Sequence, residues 1–517
     1  MFPLLFAFIL TDMGSTRRIA IIGAGASGLT AIKSCIEESM AAVCYEQSET
    51  FGGRWCFKNT KVSDVASVMK STVAIHSKEM NAFSDFPPPA SFPNYLHHSK
   101  MLEYLRLYAE TFDLLRHIKY RIKVVRVTQS ADFHTTGKWI ITTKTLTNHS
   151  ETSEEFDGVM ICTGRLSHPF IPSFPNREVF KGKIFHSQEI KHGTAFENLN
   201  VVIVGSGNSA VDAAVEISVL ASQVYLSTRS GTWILPKVGP RGLPFDMTLL
   251  RRQVNIMKKH FGNIVNHYVE KYLEKKFQHY VYQLKPEYRV LDNSFVINDI
   301  LPDKILTGRV CIKRAINEIR ETGVLFEGDD YLNEADVIIF ATGYDLKIPV
   351  LDDRLYKTTD GQSNLYHGVF PPNLYHPTLA IIGFVETQGP SIPVAENQSR
   401  WAARVFNRKS FVDTKNLKES PIIGKDYIEY MDTLAQEYNV KPDFSTLLFK
   451  DPLLYWKCMT GPCLSYQYRI VGPHAWESSR TAILEAYERV VAPLSKMHGS
   501  NNNRYMNNNY ISEMQEC

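Results

Sequence analysis

The sequence predicts an α/β protein built from two parallel-sheet units, the second of which is inserted into the first. Two short apolar segments each lead into a glycine-rich turn and then into a helical pattern, near residues 18–36 and 201–219. Each helical pattern is followed by a further strand rich in β-branched residues. The length of 517 residues suits two or three domains.

The first unit begins with Arg18–Ile22, a short apolar run that is typical of a buried parallel strand. The turn that follows consists of Gly23, Ala24, Gly25, Ala26, Ser27 and Gly28. In a Rossmann-like turn of this kind, Gly23 permits the tight bend, Gly25 lets the backbone approach a pyrophosphate, and Gly28 lets the helix pack on the strand. The amides at the start of the helix then face the phosphates. The order of elements predicts a dinucleotide site.

The next strand of this unit, Ala42–Tyr45, ends at Glu46. A carboxylate at this position can accept hydrogen bonds from the ribose hydroxyls of an adenine dinucleotide. We therefore expect Glu46 and the six turn residues to bind FAD.

The same pattern returns in the second unit. The strand Val201–Val204 leads into a turn whose expected cofactor-binding residues are Gly205, Gly207, Asn208, Ser209 and Ala210. Alanine replaces the third glycine, which this kind of turn tolerates.

The following strand ends in Thr228 and Arg229, where an NAD-binding unit would carry an acid. A guanidinium can pair with a 2′-phosphate through charge-assisted hydrogen bonds, whereas a carboxylate would repel it. Thr228 and Arg229 therefore predict that the second unit binds NADPH. The alternative is that Arg229 is a solvated surface charge.

Two further apolar strands, 157–162 and 336–340, each end in a glycine turn and suit crossings between the two units. The predicted division is an N-terminal extension over 1–15, an FAD-binding domain over 16–165 and 334–495, and a disordered, Asn-rich tail over 496–517. The NADP-binding domain is expected over 166–333, with a helical insertion near 245–300.

Composition excludes several classes of protein. A net charge of +3 is too small to suggest a nucleic-acid partner. The eight cysteines contain no CxxC pair, which disfavours zinc sites, secreted disulfide scaffolds and disulfide reductases. The sequence contains no apolar stretch of about eighteen residues, so no membrane-spanning helix is predicted. The apolar run Phe2–Leu10 is interpreted as a dispensable or weakly anchoring extension, with a cleaved signal or a start at Met13 as alternatives.

Between the two glycine turns, Phe180, Gly182 and His186 match the FxGxxxHxxx-aromatic signature of flavin-containing and Baeyer–Villiger monooxygenases, whereas Ile190 stands where that signature has an aromatic residue. From about Arg18 to Pro493 the chain resembles the animal flavin-containing monooxygenases of the dimethylaniline N-oxide-forming type. The landmarks of this resemblance are Gly52-Gly53-Arg54-Trp55, Ser77-Lys78-Glu79-Met80, Asp85-Phe86-Pro87, Phe92-Pro93-Asn94-Tyr95, Arg229-Ser230-Gly231, Phe340-Ala341-Thr342-Gly343-Tyr344, Gly461-Pro462-Cys463 and Tyr468-Arg469-Ile470-Val471-Gly472-Pro473.

The resemblance implies that Arg54 and Trp55 contact FAD. It also implies that NADPH reduces the flavin, that O2 forms a C4a-hydroperoxyflavin, and that a soft nucleophilic nitrogen or sulfur atom of a small molecule is then oxygenated. In such a site the protein orients the reactants and excludes water.

One position departs from the family. An ungapped comparison places Ile75, followed by His76, where the family has an active-site Asn. Isoleucine cannot donate a hydrogen bond, so His76 or a slipped loop would have to supply the donor. The alternative functions are therefore an uncoupled NADPH oxidase that produces hydrogen peroxide, or a cofactor-binding protein with little turnover.

The resemblance further implies attachment to the cytosolic face of the endoplasmic reticulum membrane, with the cytosol as the alternative. Residues 249–284 alternate basic and apolar side chains, and we expect a pair of basic amphipathic helices able to contact an anionic membrane surface. An ordinary solvated helix covering the NADP domain is the alternative. Homo-oligomer formation stays open.

Overall fold

The computed structural model describes residues 16–60, 65–359, 362–412, 420–421 and 424–495. The extension and the tail expected over 1–15 and 496–517 lie outside the described residues.

The strands follow one another as β1 (Arg18–Ile22), β2 (Ala41–Tyr45), β3 (Ile118–Lys119), β4 (Ile122–Gln129), β5 (Trp139–Thr145), β6 (Glu151–Phe156), β7 (Gly158–Ile161), β8 (His168–Pro169), β9 (Lys183–His186), β10 (Asn200–Val204), β11 (Gln223–Ser227), β12 (Ile234–Leu235), β13 (Val296–Ile297), β14 (Val310–Lys313), β15 (Ile316–Arg320), β16 (Gly323–Phe326), β17 (Asn333–Glu334), β18 (Val337–Phe340), β19 (Tyr344–Asp345), β20 (Thr358–Thr359), β21 (Gln362–Ser363), β22 (Leu379–Ile381) and β23 (Ser420–Pro421).

The α-helices are α1 (Ala26–Glu37), α2 (His98–Thr111), α3 (Phe133–Thr136), α4 (Asn208–Ile217), α5 (Phe245–Leu249), α6 (Arg252–Glu274), α7 (Leu301–Leu306), α8 (Ser391–Phe406), α9 (Tyr427–Glu437), α10 (Phe444–Lys450), α11 (Pro452–Thr460), α12 (Ser479–Leu484) and α13 (Ala486–Ser495).

The first glycine unit belongs to a five-stranded parallel sheet in the order β22-β7-β1-β2-β3. Its central strand β1 is apolar because both of its faces are covered: Ile19 and Ile21 pack in the cluster that contains α1 and α8, and Ala20 packs on the side of the three-stranded sheet β4-β5-β6. The chain leaves β1 toward β2 on one side, and β7 pairs on the other. The carboxyl ends of β1 and β7 therefore border a crevice of the kind in which open α/β sheets bind ligands.

The second glycine unit belongs to another five-stranded parallel sheet, in the order β14-β11-β10-β18-β9. Strand β18 pairs with β10, so this sheet extends to Phe340. The division that we expected after Asn333 is therefore wrong, because it would separate β18 from the sheet in which it lies.

The two segments that connect the sheets are paired with each other. Strand β8 leaves the first sheet, β19 returns from the second, and the two form an antiparallel ribbon. Nearby, the buried His186 accepts a hydrogen bond at Nδ1 from the amide of Gln188, and its Nε2 donates to the Gly343 carbonyl at 3.0 Å. This side chain therefore joins the edge strand β9 to the loop that follows β18.

The insertion near 245–300 contains α5 and α6 and packs around an apolar cluster that includes Trp233, Phe245 and Leu273. The expected helix pair is present within α6, whose 23 residues form two helical segments that meet at a kink, where Phe261 leaves the helical region at φ −135° and ψ 41°. Within the described residues, no helix combines the length and apolar character needed to cross a bilayer.

Candidate active site

The first glycine turn owes its shape to two close backbone approaches. Gly23 has φ +100°, and a Cβ there would lie 2.7 Å from the carbonyl oxygen of Cys162 on the neighbouring β7 side. A Cβ on Gly28 would lie 1.9 Å from the Gly23 carbonyl oxygen. A side chain at either position would push the turn away from the sheet, so only glycine fits at Gly23 and Gly28.

The middle glycine, Gly25, has a different neighbour. It caps α1, and a Cβ on it would lie 3.6 Å from the Cα of Gly53, which itself has φ +55°. Both glycines line the same cavity. Two bare backbone segments beside a helix N-terminus form a cradle that fits a pyrophosphate group.

Glu46 holds this turn in place. Its carboxylate accepts hydrogen bonds from the amide of Ala24 at 2.8 Å and from the amide of Ser48 at 2.7 Å. The side chain is buried yet borders the cavity. A carboxylate oxygen has two lone pairs, so Glu46 can fix the turn and still accept from ribose hydroxyls.

A cavity of about 380 Å³ lies at the carboxyl edge of the first sheet. It brings together most of the residues that the sequence indicates for FAD and for the reacting centre, namely Gly23, Gly25, Ala26, Ser27, Glu46, Arg54, Trp55, Ile75 and His76. Ala24 and Gly28 are buried behind the turn and do not border it.

Arg54 lies in this cavity with its guanidinium carbon 4.7 Å from the centre of the Trp55 ring. Burial and the charge of nearby Arg165 together lower the pKa of Arg54 to about 10, against the opposing effects of Glu386 and Tyr344. The group stays cationic at neutral pH. A partly buried cation beside the cradle suits the negative charge of a dinucleotide.

Sequence reasoning missed an ion pair at the cavity. Arg165 and Glu386 both line it, and Nη1 of Arg165 lies 2.8 Å from Oε2 of Glu386. Arg165 follows β7 and Glu386 follows β22, two neighbouring strands of the first sheet. The glycine turn after β7 could have indicated that Arg165 lies at the site, because the carboxyl ends of adjacent parallel strands meet at one edge of the sheet.

The loop that carries Ile75 and His76 is held from several sides. The amide of Ala74 donates to the Leu96 carbonyl at 2.8 Å, and the amide of Lys78 donates to the Asn94 carbonyl at 2.7 Å. The Asn81 side chain donates to the His76 carbonyl at 2.9 Å. Held in this way, the loop brings both Ile75 and His76 to the cavity.

Ile75 has a second environment. Besides bordering the cavity, it packs against the apolar cluster of the insertion. Asn81 also borders the cavity, although the sequence did not indicate it as a site residue. His76 and Asn81 therefore both supply polar groups to the cavity that Ile75 borders.

The second glycine turn repeats the geometry of the first. Gly205 has φ +140°, and a Cβ there would lie 2.4 Å from the Ala341 carbonyl oxygen next to β18. A Cβ on Gly207 would meet no atom of the described part of the chain within 4 Å. Ala210 is fully buried, so its methyl group packs where the third glycine would otherwise lie. The backbone at Gly207 is thus open to a ligand.

The other residues expected to bind NADPH surround this turn. The Asn208 side chain accepts from the Ile297 amide at 3.0 Å and ties α4 to the insertion, while Ser209 is exposed. Thr228 is buried and its hydroxyl accepts from the Gly231 amide at 3.0 Å. Arg229 is exposed at the end of β11. The turn around Thr228 therefore fixes the backbone while Arg229 projects to the surface.

Comparisons with known proteins agree with this geometry. The family model described as FMO-like, flavin-binding monooxygenase-like, matches residues 16–514. Dimethylaniline monooxygenase [N-oxide-forming] 2 of Rattus norvegicus is 40% identical over 499 residues, which cover 92% of this chain and 93% of the relative. Flavin-containing monooxygenase 5 of the same organism is 41% identical over 503 residues, covering 92% of this chain and 93% of that protein.

Among solved structures, S-allyl-L-cysteine S-oxygenase from Allium sativum has a TM-score of 0.59 at 20% identity, with 97% of this chain and 98% of that chain covered. This likeness shows the shared fold. The matches to the family model and to the curated relatives go further. The chain belongs to the flavin-binding monooxygenase-like family and is a flavin-dependent monooxygenase.

Proposed function

We propose that the protein uses NADPH and O2 to oxygenate soft nucleophilic nitrogen or sulfur atoms of small molecules. The observation that carries the proposal is the cavity in which the first glycine turn, Arg54 and the loop of His76 meet. The named relatives support the substrate class, because one is a dimethylaniline N-oxide-forming enzyme and another structure is an S-oxygenase.

The cradle of Gly25 and Gly53 and the carboxylate of Glu46 would hold FAD by its pyrophosphate and ribose, with Arg54 beside it. The open backbone at Gly207 and the exposed Arg229 would hold the pyrophosphate and the 2′-phosphate of NADPH. When bound, the flavin accepts hydride and activates O2. The chain contributes orientation and a site walled off from water, and both limit the loss of reducing equivalents.

A second candidate is an uncoupled NADPH oxidase that releases hydrogen peroxide. It is favoured by Ile75, whose apolar side chain packs into the insertion cluster at the position of the family's amide. A site with one hydrogen-bond donor fewer would stabilise less well the negative charge that develops in the transition state of oxygenation.

The experiment that separates these functions follows three quantities during turnover with dimethylaniline or with a thioether. These are NADPH consumed, oxygenated product formed and hydrogen peroxide released. A monooxygenase gives one product per NADPH, an oxidase gives one peroxide per NADPH, and a binding protein consumes almost no NADPH. Product formation without NADPH consumption would contradict the proposal.

We also propose that the protein contacts the cytosolic face of the endoplasmic reticulum membrane through one surface, which we call the basic apolar face. Its apolar part comprises the exposed side chains Ile256, Met257, Phe261, Ile264 and Tyr268 of α6 together with Leu448, Phe449, Leu453 and Trp456 of α10 and α11. Its basic part comprises Lys259, Lys271, Lys275 and Lys276 of α6 and its end.

The two groups of helices are adjacent. The guanidinium of Arg252 lies 4.6 Å from the centre of the Phe444 ring, and α11 packs against α6. Arg252 itself is buried, and its guanidinium lies 2.7 Å from the carboxylate of Asp432. It is therefore not available to lipid, although it belongs to the basic segment 249–284 that the sequence indicates for membrane contact. Exposed apolar rings flanked by lysines suit the interface of an anionic bilayer.

A further inference from the structure

His76 stands between two cavities. It borders the large cavity described above and also a smaller one beneath the insertion, which is lined in part by Tyr95, Phe245 and Asp246. The His76 side chain is 12% exposed. The ring therefore separates the reacting centre from the insertion.

Behind this ring lies a buried carboxylate. Oδ2 of Asp246 is 3.6 Å from Nδ1 of His76, and the Asp246 side chain is 5% exposed. That carboxylate is fixed by two amides, since Oδ2 accepts from Ser77 at 2.7 Å and Oδ1 accepts from Met247 at 2.9 Å. The orientation of the carboxylate toward His76 is thus set by the backbone of the loop and of α5.

Nδ1 of His76 is buried and, among the residues that the structure describes, has no hydrogen-bond partner at this separation. A shift of a few tenths of an ångström would bring it into hydrogen-bond distance of Asp246. A carboxylate can only accept, so this contact selects the ring form with a proton on Nδ1. Nε2 is then left for the large cavity.

The ring is not needed to hold the loop. The His76 carbonyl is bonded by Asn81, the Ser77 amide is bonded by Asp246, and the neighbouring amides of Ala74 and Lys78 have carbonyl partners. These contacts come from backbone atoms or from other side chains. The imidazole is therefore free for a role in the cavity.

We propose that His76 is a proton-exchanging catalytic residue of the large cavity, with Asp246 as the positioning residue that holds its ring through Nδ1. This inference rests on the proposed function and adds a residue to it. The overall reaction joins NADPH, one proton, O2 and the nucleophile to give NADP⁺, the oxygenated product and water. His76 would pass that proton from Nε2 into the cavity and recover it from solvent.

Other titratable groups surround this site and must be separated from His76 in any pH study. Across the smaller cavity, burial and the charge of Asp246 raise the pKa of Tyr95, whose hydroxyl donates to the Lys237 carbonyl at 2.6 Å, so Tyr95 stays neutral. Among the described residues, the other charged or titratable side chains around the large cavity are Tyr45, Glu46, Arg54, Lys123, Cys162, Arg165, His168 and Glu386.

The test compares the FAD-loaded protein with His76→Gln, which keeps an amide donor but cannot exchange a proton. His134→Gln serves as the control, because His134 is exposed on the α3 turn. The first measurement needs no turnover: nitrogen-15 spectra of histidine-labelled, oxidised protein identify the His76 signals by their loss in His76→Gln. We expect neutral His76 to carry its proton on Nδ1, and to lose that preference in Asp246→Asn.

The second measurement is the pH dependence of the share of NADPH that ends as peroxide, between about pH 5 and 9, the range that spans imidazole titration. We expect a one-proton transition in the unmodified protein and in His134→Gln, and none in His76→Gln, whose product formation falls by about 10²-fold or more. A proton on Nε2 in the neutral ring, or an unchanged profile in His76→Gln, would overturn the inference. Absence of any NADPH oxidation would refute the proposed function instead, and the spectra would still decide the role of His76.

Discussion

Gly25 and Gly53 face each other at the large cavity, and a Cβ on Gly53 would lie 3.1 Å from the Cα of Gly25. The two positions come from different segments, the first glycine turn and the segment after β2. Their close approach leaves a stretch of bare backbone for a phosphate group.

This relationship predicts that Gly25→Val folds but loses flavin. The protein has room for one carbon at Gly25, since its nearest neighbour would be 3.6 Å away, but the branched γ-carbons must enter the cradle. The ratio of flavin absorbance to protein absorbance and a thermal melt measure the two properties separately.

Gly28→Ala provides the contrast. Its Cβ would lie 1.9 Å from a backbone carbonyl oxygen, so this variant should lose fold stability along with flavin. Full flavin occupancy in folded Gly25→Val would refute our assignment of the FAD site.

Arg229→Ala should weaken NADPH binding far more than NADH binding. Loss of one charged partner of a phosphate costs about 1.5–3 kcal/mol, roughly ten- to a hundredfold in affinity. NADH lacks the 2′-phosphate, so its binding should barely change. Flavin reduction measured against the concentration of each nucleotide tests this.

Arg320→Ala is a suitable control, because Arg320 is exposed and pairs with Glu318 on β15. Equal losses for both nucleotides in Arg229→Ala would assign Arg229 to loop support. The exposed Arg314, which follows the neighbouring strand β14, would then be the next residue to substitute.

Glu38→Gln should destabilise the protein at neutral pH and much less in acid. Burial opposes ionisation of Glu38, but hydrogen bonds from Lys409, His474, Asn407 and Arg404 prevail and lower its pKa to about 2. A depressed carboxyl pKa stabilises the fold above the unfolded-state value of 4.5, and this contribution is lost as pH falls through about 2.

We expect a loss of about 1–3 kcal/mol at pH 7, less than for a fully buried ion pair because the charged partners of Glu38 are partly exposed, and this loss should shrink as the pH approaches 2. Denaturant titrations at several pH values measure it. A loss that is equal at pH 7 and pH 3 would show that packing, and not charge, makes Glu38 important.

Replacing Phe449 and Trp456 by Ser should reduce binding to vesicles that contain anionic lipid. Both rings are largely exposed on the basic apolar face, at 84% and 60%, so their removal should leave the fold intact. Sedimentation with anionic and with neutral vesicles gives the partition coefficient.

Tyr375→Ser is the matched control, since Tyr375 is 73% exposed in the loop before β22. Equal binding of the unmodified protein and the double variant would show that this face does not contact the membrane.

Local pattern was enough to predict the glycine units. The strand Arg18–Ile22 and the helix after each turn follow from apolar periodicity and from backbone demands that only glycine meets, and the structure confirms both elements. Arg165 and Glu386 could not be paired this way, because 221 residues separate them and only the sheet order brings their strands together.

Contacts between residues distant in sequence also explain why the domain boundary at Asn333 was wrong and why Asp246 was not predicted to lie beside His76. Strand β18 is apolar and would suit either sheet, so the sequence alone does not indicate which strand it pairs with. Asp246 reaches His76 through the fold of the insertion, and neither residue carries a local signal of the other.

The paired ribbon of β8 and β19 has a mechanical consequence. A single connecting strand can swivel about its own axis, whereas two hydrogen-bonded strands resist twisting and bend mainly out of their common plane. A turn of one crossing segment about its own axis would therefore break its hydrogen bonds to the other, so the relative orientation of the two sheets is tied to this ribbon.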